Sequence, residues 1–527
     1  MKYYDPEDIR RMEKDIMRVL GVSQGILMEN AGHGAAAAIL SRFPGRGAAA
    51  VLVGPGNNGG DGLVAARWLS LSGWDVSAVC SLPLCGFKGI NVENLHLAEA
   101  SGVRLLEASS LTDGEIGALL RRADLAVDAL LGTGSSGSPR GETARLIRLC
   151  SEARFVVSLD LPSGMDPLSG DIESCAVRAR LTLTMLAPKT GMAFPPGKDA
   201  SGEIQVIPLG FPGVSAVPPR VSLLEMDEAR ALLPKRDEYL HKGERGGVLV
   251  AGGCDAYRGA PVLALRGALR AGCGLGILFS DERICAACSA SLPEAVFLPL
   301  RQGVSLREVS CMLGEWESRA GCLVLGPGMG RSAEAGELFR FLREAWKGKI
   351  VVDGDGLYHL SRMKRGAARR EGCLVTPHEG EAARLLGISP EEVRKNRLKY
   401  ARELASNWGT ALLKGKDTLV DDGSATVMIS EGNRALAVPG SGDVLAGAAA
   451  AFMAAGLDPF GAGSLAAFVH GSAGRSLSER LGKDGILASQ VADEMPSVLC
   501  AMERKDPKGL PAEGRIPSRG RGKGDWQ

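Results

Sequence analysis

Short apolar runs alternate with helical patterns through the first 210 residues. AAAVLV (48–53), DVSAVC (75–80), LAVDALLG (125–132), RFVVSLDLP (154–162) and RLTLTML (180–186) read as strands, with LVAARWLSLSG (63–73) as a helix after the first. This alternation predicts a parallel sheet with helices on both faces. The stretch FPGVSAVPPR (211–220) interrupts it with Pro, Gly and Ser, in the manner of an inter-domain linker. The pattern then restarts in GGVLVAGG (246–253), CLVLGPGMG (322–330), KIVVDGDG (349–356), GCLVTPHEGE (372–381) and TALLKGKDTLVDDG (410–423), and closes on a long helix from Asp443. Two α/β domains are expected, over 1–211 and 222–502, joined by a linker at 212–221. The Gly-, Pro- and Arg-rich end, 503–527, has no periodicity and is expected to be a disordered, solvated tail.

The length of 527 residues is too great for one ordinary domain. Lys and Arg number 62 against 61 Asp and Glu, so no global field favours nucleic acid or an anionic membrane, and small molecules are the expected partners. The N-terminal stretch is charged and has no apolar signal core, and the longest apolar run, 444–457, is too short to span a bilayer. A cytoplasmic location follows as an expectation. The twelve cysteines read as reduced thiols, and Cys285 and Cys288, a lone CxxC, as buried apolar residues rather than a redox or zinc pair.

GPGNNGGDG (54–62) leaves a strand and opens a helix, where unpaired N–H groups and the positive helix end suit a phosphate. It matches neither the Walker motif nor a strict GxGxxG, and Asn57, Asn58 and Asp61 add side-chain oxygens that suit a cation. VDALLGTGSSG (127–137) and SLDLPSGMDPLSG (158–170) also end strands, so the three loops are expected to converge outside the sheet's carboxyl edge. Asp128, Asp160 and Ser163 become candidates there, against the competing reading that they only cap turns and a helix.

These motifs, in this order after LMENAG (27–32), resemble the NAD(P)H-hydrate epimerase family over nearly all of residues 1–211. The resemblance implies a Rossmann-like fold. It places the substrate on Asn57, Asn58, Gly59, Gly60 and Asp61 and on Gly132, Thr133, Gly134, Ser135, Ser136, Gly137 and Ser138. It implies Asp160 at the reacting nicotinamide, as acid/base or orienting group, and K⁺ on Asn58, Asp128 and Ser163.

In the second half, GSGDVLAGAAAAFMAAG (440–456) sets a glycine turn and Asp443 at the start of a helix. The N–H groups of Gly440 to Gly442 are expected to form an anion hole, with Asp443 taking a proton from an attacking hydroxyl. At a helix N-terminus that carboxylate is expected to stay ionised, and hence to be a weak base. The competing reading is a plain N-cap.

This arrangement resembles the ribokinase-like fold. The segment 242–275, VLGPGMG (324–330), VTPHEGEAARLLG (375–387) and LLKGKDT (412–418) resemble the ADP-dependent NAD(P)H-hydrate dehydratase over roughly 222–500. The resemblance implies hydrate contacts from Ala260, Gly328, His378 and Asp443, nucleotide contacts from Lys414, Gly415, Lys416, Asp417, Thr418 and Gly442, and Mg²⁺ with the ADP co-substrate. Three departures stand out: Ser441 where the family has Thr, Pro439 where it has a small residue, and DGDGLY (353–358) where it has a DADALN-like stretch. Asp353 and Asp355 remain candidates beside the metal.

The implied whole is a bifunctional repair of NADHX and NADPHX: epimerisation of the R and S hydrates, then ADP-dependent dehydration of the S form, by an expected homo-oligomer. Two rivals remain at this point, a ribokinase-like vitamin kinase fused to a nucleotide-binding domain, and an N-terminal domain serving only as a binding module.

Overall fold

The computed structural model describes residues 1–504 apart from 46, 136, 214–215, 235–244, 302 and 366–368. Ser136, and the expected tail from 505 on, lie outside the described residues. The chain divides into two compact units, Met1–Ser222 and Leu223 onward.

In the first unit β1 (Ala48–Val53), β2 (Asp75–Cys80), β3 (Arg104–Glu107), β4 (Leu125–Ala129), β5 (Val156–Leu159), β6 (Leu181–Met185) and β7 (Glu203–Ile207) form a parallel sheet in the order β3-β2-β1-β4-β5-β6-β7. Ala49, Val51 and Val53 of β1 enter one core and Ala50 and Leu52 another, because successive side chains point to opposite faces. Both faces are therefore covered. The strand order reverses between β1 and β4, the switch point outside which open α/β sheets bind ligands.

The helix expected at 63–73 begins earlier, at Asn57, with Gly56 as its N-cap, so GPGNNGGDG is more helix than loop. Glycine disfavours a helix, but packing overrides that preference here. A Cβ on Gly59 would come 1.9 Å from the Gly54 carbonyl oxygen, and one on Gly60 would come 2.4 Å from Asn91 Oδ1.

The second unit holds β8 (Gly247–Ala251), β9 (Leu275–Asp281), β10 (Val296–Leu300), β11 (Cys322–Leu325), β12 (Lys349–Val352), β13 (Cys373–Val375), β14 (Thr410–Leu413), β15 (Thr418–Asp421) and β16 (Thr426–Ile429), in the order β16-β15-β14-β13-β12-β11-β8-β9-β10. Its pairings are parallel except β14–β15 and β15–β16. The apolar run at 444 falls in a helix, Ser441–Ala454, that is buried from Val444 to Met453. It lies tightly on the helix Gly259–Arg270: a Cβ on Gly447 would sit 1.7 Å from the Ala264 carbonyl oxygen. Among the described residues no helix is long and apolar enough to cross a membrane.

Candidate active sites

At the switch point of the first sheet a cavity of about 540 Å³ is lined by Glu13, Gln24, Asn57, Asn58, Asp61, Gly132 to Ser135 and Asp160, among others. Three segments far apart in sequence thus meet. Gly59 and Gly60 pack against protein rather than line the cavity, and Ser138 Oγ donates instead to Glu173, 2.6 Å away. Gly137 is likewise absent from the lining.

Asp160 follows β5 with a left-handed backbone, φ 67°, a conformation non-glycine residues rarely adopt and one that clusters at functional sites. Its Oδ2 accepts from Thr133 N and Oγ1 at 3.0 and 2.9 Å, and Oδ1 pairs with Lys189 Nζ. Lys189 is fully buried and also donates to Thr184 Oγ1 at 2.9 Å. Burial opposes ionisation of Asp160, but Lys189 and the Thr133 hydrogen bonds outweigh it and hold the carboxyl below its usual range. Such a group orients better than it exchanges protons.

Asp61 is pushed well above the carboxylate range by burial and then by the Asp160 and Glu13 charges. Glu13 is raised in the same way, by burial and Asp160.

Beneath the cavity Asp128 accepts from Ser158 Oγ, Ser163 N and Ser163 Oγ at 2.8, 2.9 and 2.6 Å, and Ser163 Oγ accepts from Leu131 N at 2.8 Å. Asp128 and Ser163 are both fully buried. Asn58 Nδ2 donates to the Leu131 and Leu159 carbonyls at 2.8 and 3.2 Å, while its buried Oδ1 has no hydrogen-bond partner among the described residues. A buried acceptor without a donor is the arrangement a cation satisfies.

In the second unit a cavity of about 1260 Å³ is lined by Asp353, His378, Glu381, Lys414, Gly415, Lys416, Thr418, Ser441, Gly442, Asp443 and His470, among others. Ala260 and Gly328 do not line it and pack on each other, since a Cβ on Gly328 would lie 3.1 Å from Ala260 Cβ. Asp417 is buried, with its carboxylate accepting from Ser430 Oγ at 2.7 Å.

Lys414 Nζ lies 2.9 Å from Asp353 Oδ1 and 3.7 Å from Glu381 Oε2. Burial opposes its charge, but these carboxylates outweigh it and raise the lysine above its usual range. A Cβ on Gly442 would come 3.0 Å from Lys414 Nζ, so a side chain there would press on the ammonium at the helix start. His378 caps the helix Glu379–Leu386, its Nδ1 accepting from Gly380 N and Glu381 N.

The expectation that Asp443 is an ordinary ionised carboxylate fails. Burial, and then the Asp353 charge, push it up to about 8 against the pull of Lys414, because three further carboxylates, Asp353, Glu381 and Asp355, crowd the same helix end. That makes it a stronger base than a free aspartate and poised near neutrality. The expected anion hole is also narrower, since Ser441 N–H is already bonded to the Val438 carbonyl at 3.2 Å.

Comparison with known proteins matches residues 248–497 to the NAD(P)H-hydrate dehydratase family and 24–191 to the YjeF-related protein N-terminus. The bifunctional NAD(P)H-hydrate repair enzyme Nnr of Thermanaerovibrio acidaminovorans is 40% identical over 505 residues, covering 94% of this chain and 98% of that protein. The chain belongs to the bifunctional NAD(P)H-hydrate repair enzymes. The Nnr of Thermofilum pendens is 34% identical over 95% of the chain and 97% of its own length. The ADP/ATP-dependent NAD(P)H-hydrate dehydratase of Bacillus subtilis, co-crystallised with ATP and Mg²⁺, is similar at 28% identity with a TM-score of 0.47, covering 54% of this chain and 99% of that one. The vitamin-kinase fusion and the lone binding module give way, because both halves match a single relative end to end.

Two residues that line this repair enzyme's cavities, Glu13 and His470, and one that stands behind Asp160, Lys189, escaped the sequence. Lys189 and Glu13 sit outside the glycine motifs, and a lysine in PKTG carries no signal of full burial. His470 lies in the middle of the helix Pro459–Leu481, where its apolar neighbours make it look like core. Its Nε2 meets Ser441 Oγ at 3.1 Å, which shows what the hydroxyl kept by the Thr-to-Ser departure does. Tyr358, at the end of the DGDGLY departure, stacks under Arg331, Arg362 and Arg384. Cys285 and Cys288 are buried, with burial pushing the Cys285 thiol up to about 11, and neither is disulfide-bonded.

Burial pushes His470 down to about 4, so it is neutral at pH 7. Between pH 6.5 and about 4 the unfolded chain binds a proton there that the folded chain refuses, so stability falls as pH falls through that window. The expected loss is on the order of 3 kcal/mol. Hydrogen exchange of the helix Pro459–Leu481 should show it, and His470→Gln should remove most of it.

Proposed function

We propose that the N-terminal unit interconverts the R and S hydrates of NADH and NADPH, and that the C-terminal unit dehydrates the S hydrate at the expense of ADP, giving NAD(P)H, AMP and phosphate. The observation that carries it is the coexistence, in a chain of this family, of a cavity built on Asp160–Lys189 and one built on Asp443–Lys414.

In the second cavity Asp443 accepts the proton of the 6-hydroxyl as that oxygen attacks the terminal phosphoryl group of ADP. Lys414 and the Gly442 N–H stabilise the negative charge on the transferring group. Departure of phosphate from C6, with loss of a proton from C5, restores the dihydronicotinamide. Mg²⁺ neutralises nucleotide phosphates when bound. Among the described residues no three His, Cys, Asp or Glu side chains form a metal cage, which fits an ion carried in largely by phosphate oxygens. Asp353 and Asp355 are already engaged by Lys414 and Arg331, and so act from behind.

In the first cavity Asn58, Asp128 and Ser163 would hold K⁺, whose charge would help seat the pyrophosphate. The orphaned Asn58 Oδ1 supports that assignment. Asn58→Ala should abolish the response of epimerisation to K⁺ while dehydration of S-hydrate is unchanged. Among the described residues none of the twelve cysteines forms a disulfide, which supports a reducing, cytoplasmic setting, and self-association is expected on light scattering.

The deciding assay incubates the protein with mixed NADHX epimers and either ADP or ATP and follows NADH. Complete conversion with ADP supports the reading. Conversion that stops when the S form is exhausted refutes the epimerase half, and none at all refutes the dehydratase half.

A further inference from the structure

Inverting a carbinolamine carbon by exchange of its hydroxyl calls for one proton donor and one proton acceptor on opposite faces of the ring. Asp160 fits neither part, because Lys189 fills Oδ1 and Thr133 fills Oδ2 twice. Two other carboxyls line the same cavity from different helices, Glu13 on Pro6–Leu20 and Asp61 on Asn57–Leu71. Among the described residues neither has a hydrogen-bond or ion-pair partner, although each is at least half-buried.

We propose that Glu13 and Asp61 are the proton-transfer pair of the epimerase cavity, one carboxyl protonating the departing 6-hydroxyl and the other, as carboxylate, deprotonating the water that enters from the opposite face. The assignment rests on the epimerase reading above and goes beyond it. In the first step the acid gives its proton to the hydroxyl oxygen, the C6–O bond breaks, and the N1 lone pair forms a C6=N1 iminium with release of water. In the second step a water oxygen bonds to C6 from the other side, its proton passes to the second carboxylate, and the C=N electron pair returns to N1. The two carboxyls end with exchanged protonation, so the reverse direction uses the same pair.

The surroundings favour a shared proton. Asp61 and Glu13 each resist ionisation through burial and the Asp160 charge, and Glu13 further raises Asp61; Lys189 opposes both, and Arg10 opposes Glu13. Lys14 also lines the cavity. Acid protonates both members and alkali ionises both, so epimerisation should be bell-shaped in pH.

The test uses the full-length chain in H₂¹⁸O with purified R-NADHX, ADP omitted. One solvent oxygen per R-to-S conversion is expected, with a bell-shaped pH profile after subtraction of the uncatalysed rate. Asp61→Asn and Glu13→Gln should each slow conversion by about 10²-fold or more and each lose one limb of the profile, while S-hydrate dehydration with ADP is unchanged. Glu13→Asp, which keeps a carboxyl, should recover part of the rate. Conversion without solvent oxygen, or full-rate conversion by either variant, overturns the pair alone. Absence of conversion in the wild type overturns the epimerase reading and the pair with it.

Discussion

Asp443→Asn is expected to lose ADP-dependent dehydration by about 10²- to 10⁴-fold while R and S hydrates still interconvert. The amide keeps the size and the place in the first turn of Ser441–Ala454 but cannot accept the 6-hydroxyl proton. A merely capping Asp443 would tolerate Asn, which caps helices as well as Asp, so the substitution separates the two readings. The wild type supplies a second check. A base pushed up to about 8 is largely protonated at pH 6, so kcat/KM for dehydration should rise with pH and level off above about 8. Full dehydration by the variant, or a pH profile flat from 6 to 9, would refute the role given to Asp443.

The second large effect is expected at Lys189. Lys189→Met keeps the stem's apolar packing but leaves the Asp160 carboxylate buried without its counter-ion, held only by Thr133. Removing one member of a buried pair costs about 3–5 kcal/mol, a large part of the 5–15 kcal/mol that holds a typical domain. Hydrogen exchange across β5 and β6 should therefore speed up, with the second unit unaffected. Epimerisation should collapse with it, so that S-hydrate is consumed and R-hydrate persists, and Asp160→Ala should reach the same kinetic end.

The pH dependence has a definite sign. Asp160 has a lowered folded pKa, so its contribution is present above the unfolded value of about 3.9 and is lost as pH falls through the lower folded value. In Lys189→Met that acid-side loss should shrink, because the partner that depresses the pKa most is gone.

By itself the sequence determined the two α/β halves and the edges of the first sheet's central strands, since AAAVLV and DVSAVC match β1 and β2 residue for residue. It also brought Asn58, Asp160 and Lys414 into view, because short motifs at strand ends carry both a local conformation and a place on the sheet's carboxyl edge, and Asp443 through the glycine turn that opens its helix. Strands without a chemical motif, such as β3, β9, β10 and β16, were not legible, and neither was the helix that begins at Asn57, where packing against Gly54 and Asn91 overrides glycine's preference.

Only the tertiary structure decided protonation. Lys189 sits 29 residues from Asp160 and Glu13 48 residues before Asp61, so no local pattern joins them. Asp353 and Lys414 reach Asp443 from separate strand ends and Glu381 from a helix, and burial with the carboxylate charges outweighs the pull of Lys414, making a base of a residue that its place on the helix alone would keep acidic. A side chain's charge state depends on which groups lie within a few ångströms and how little water separates them. That neighbourhood exists only once the sheets have formed.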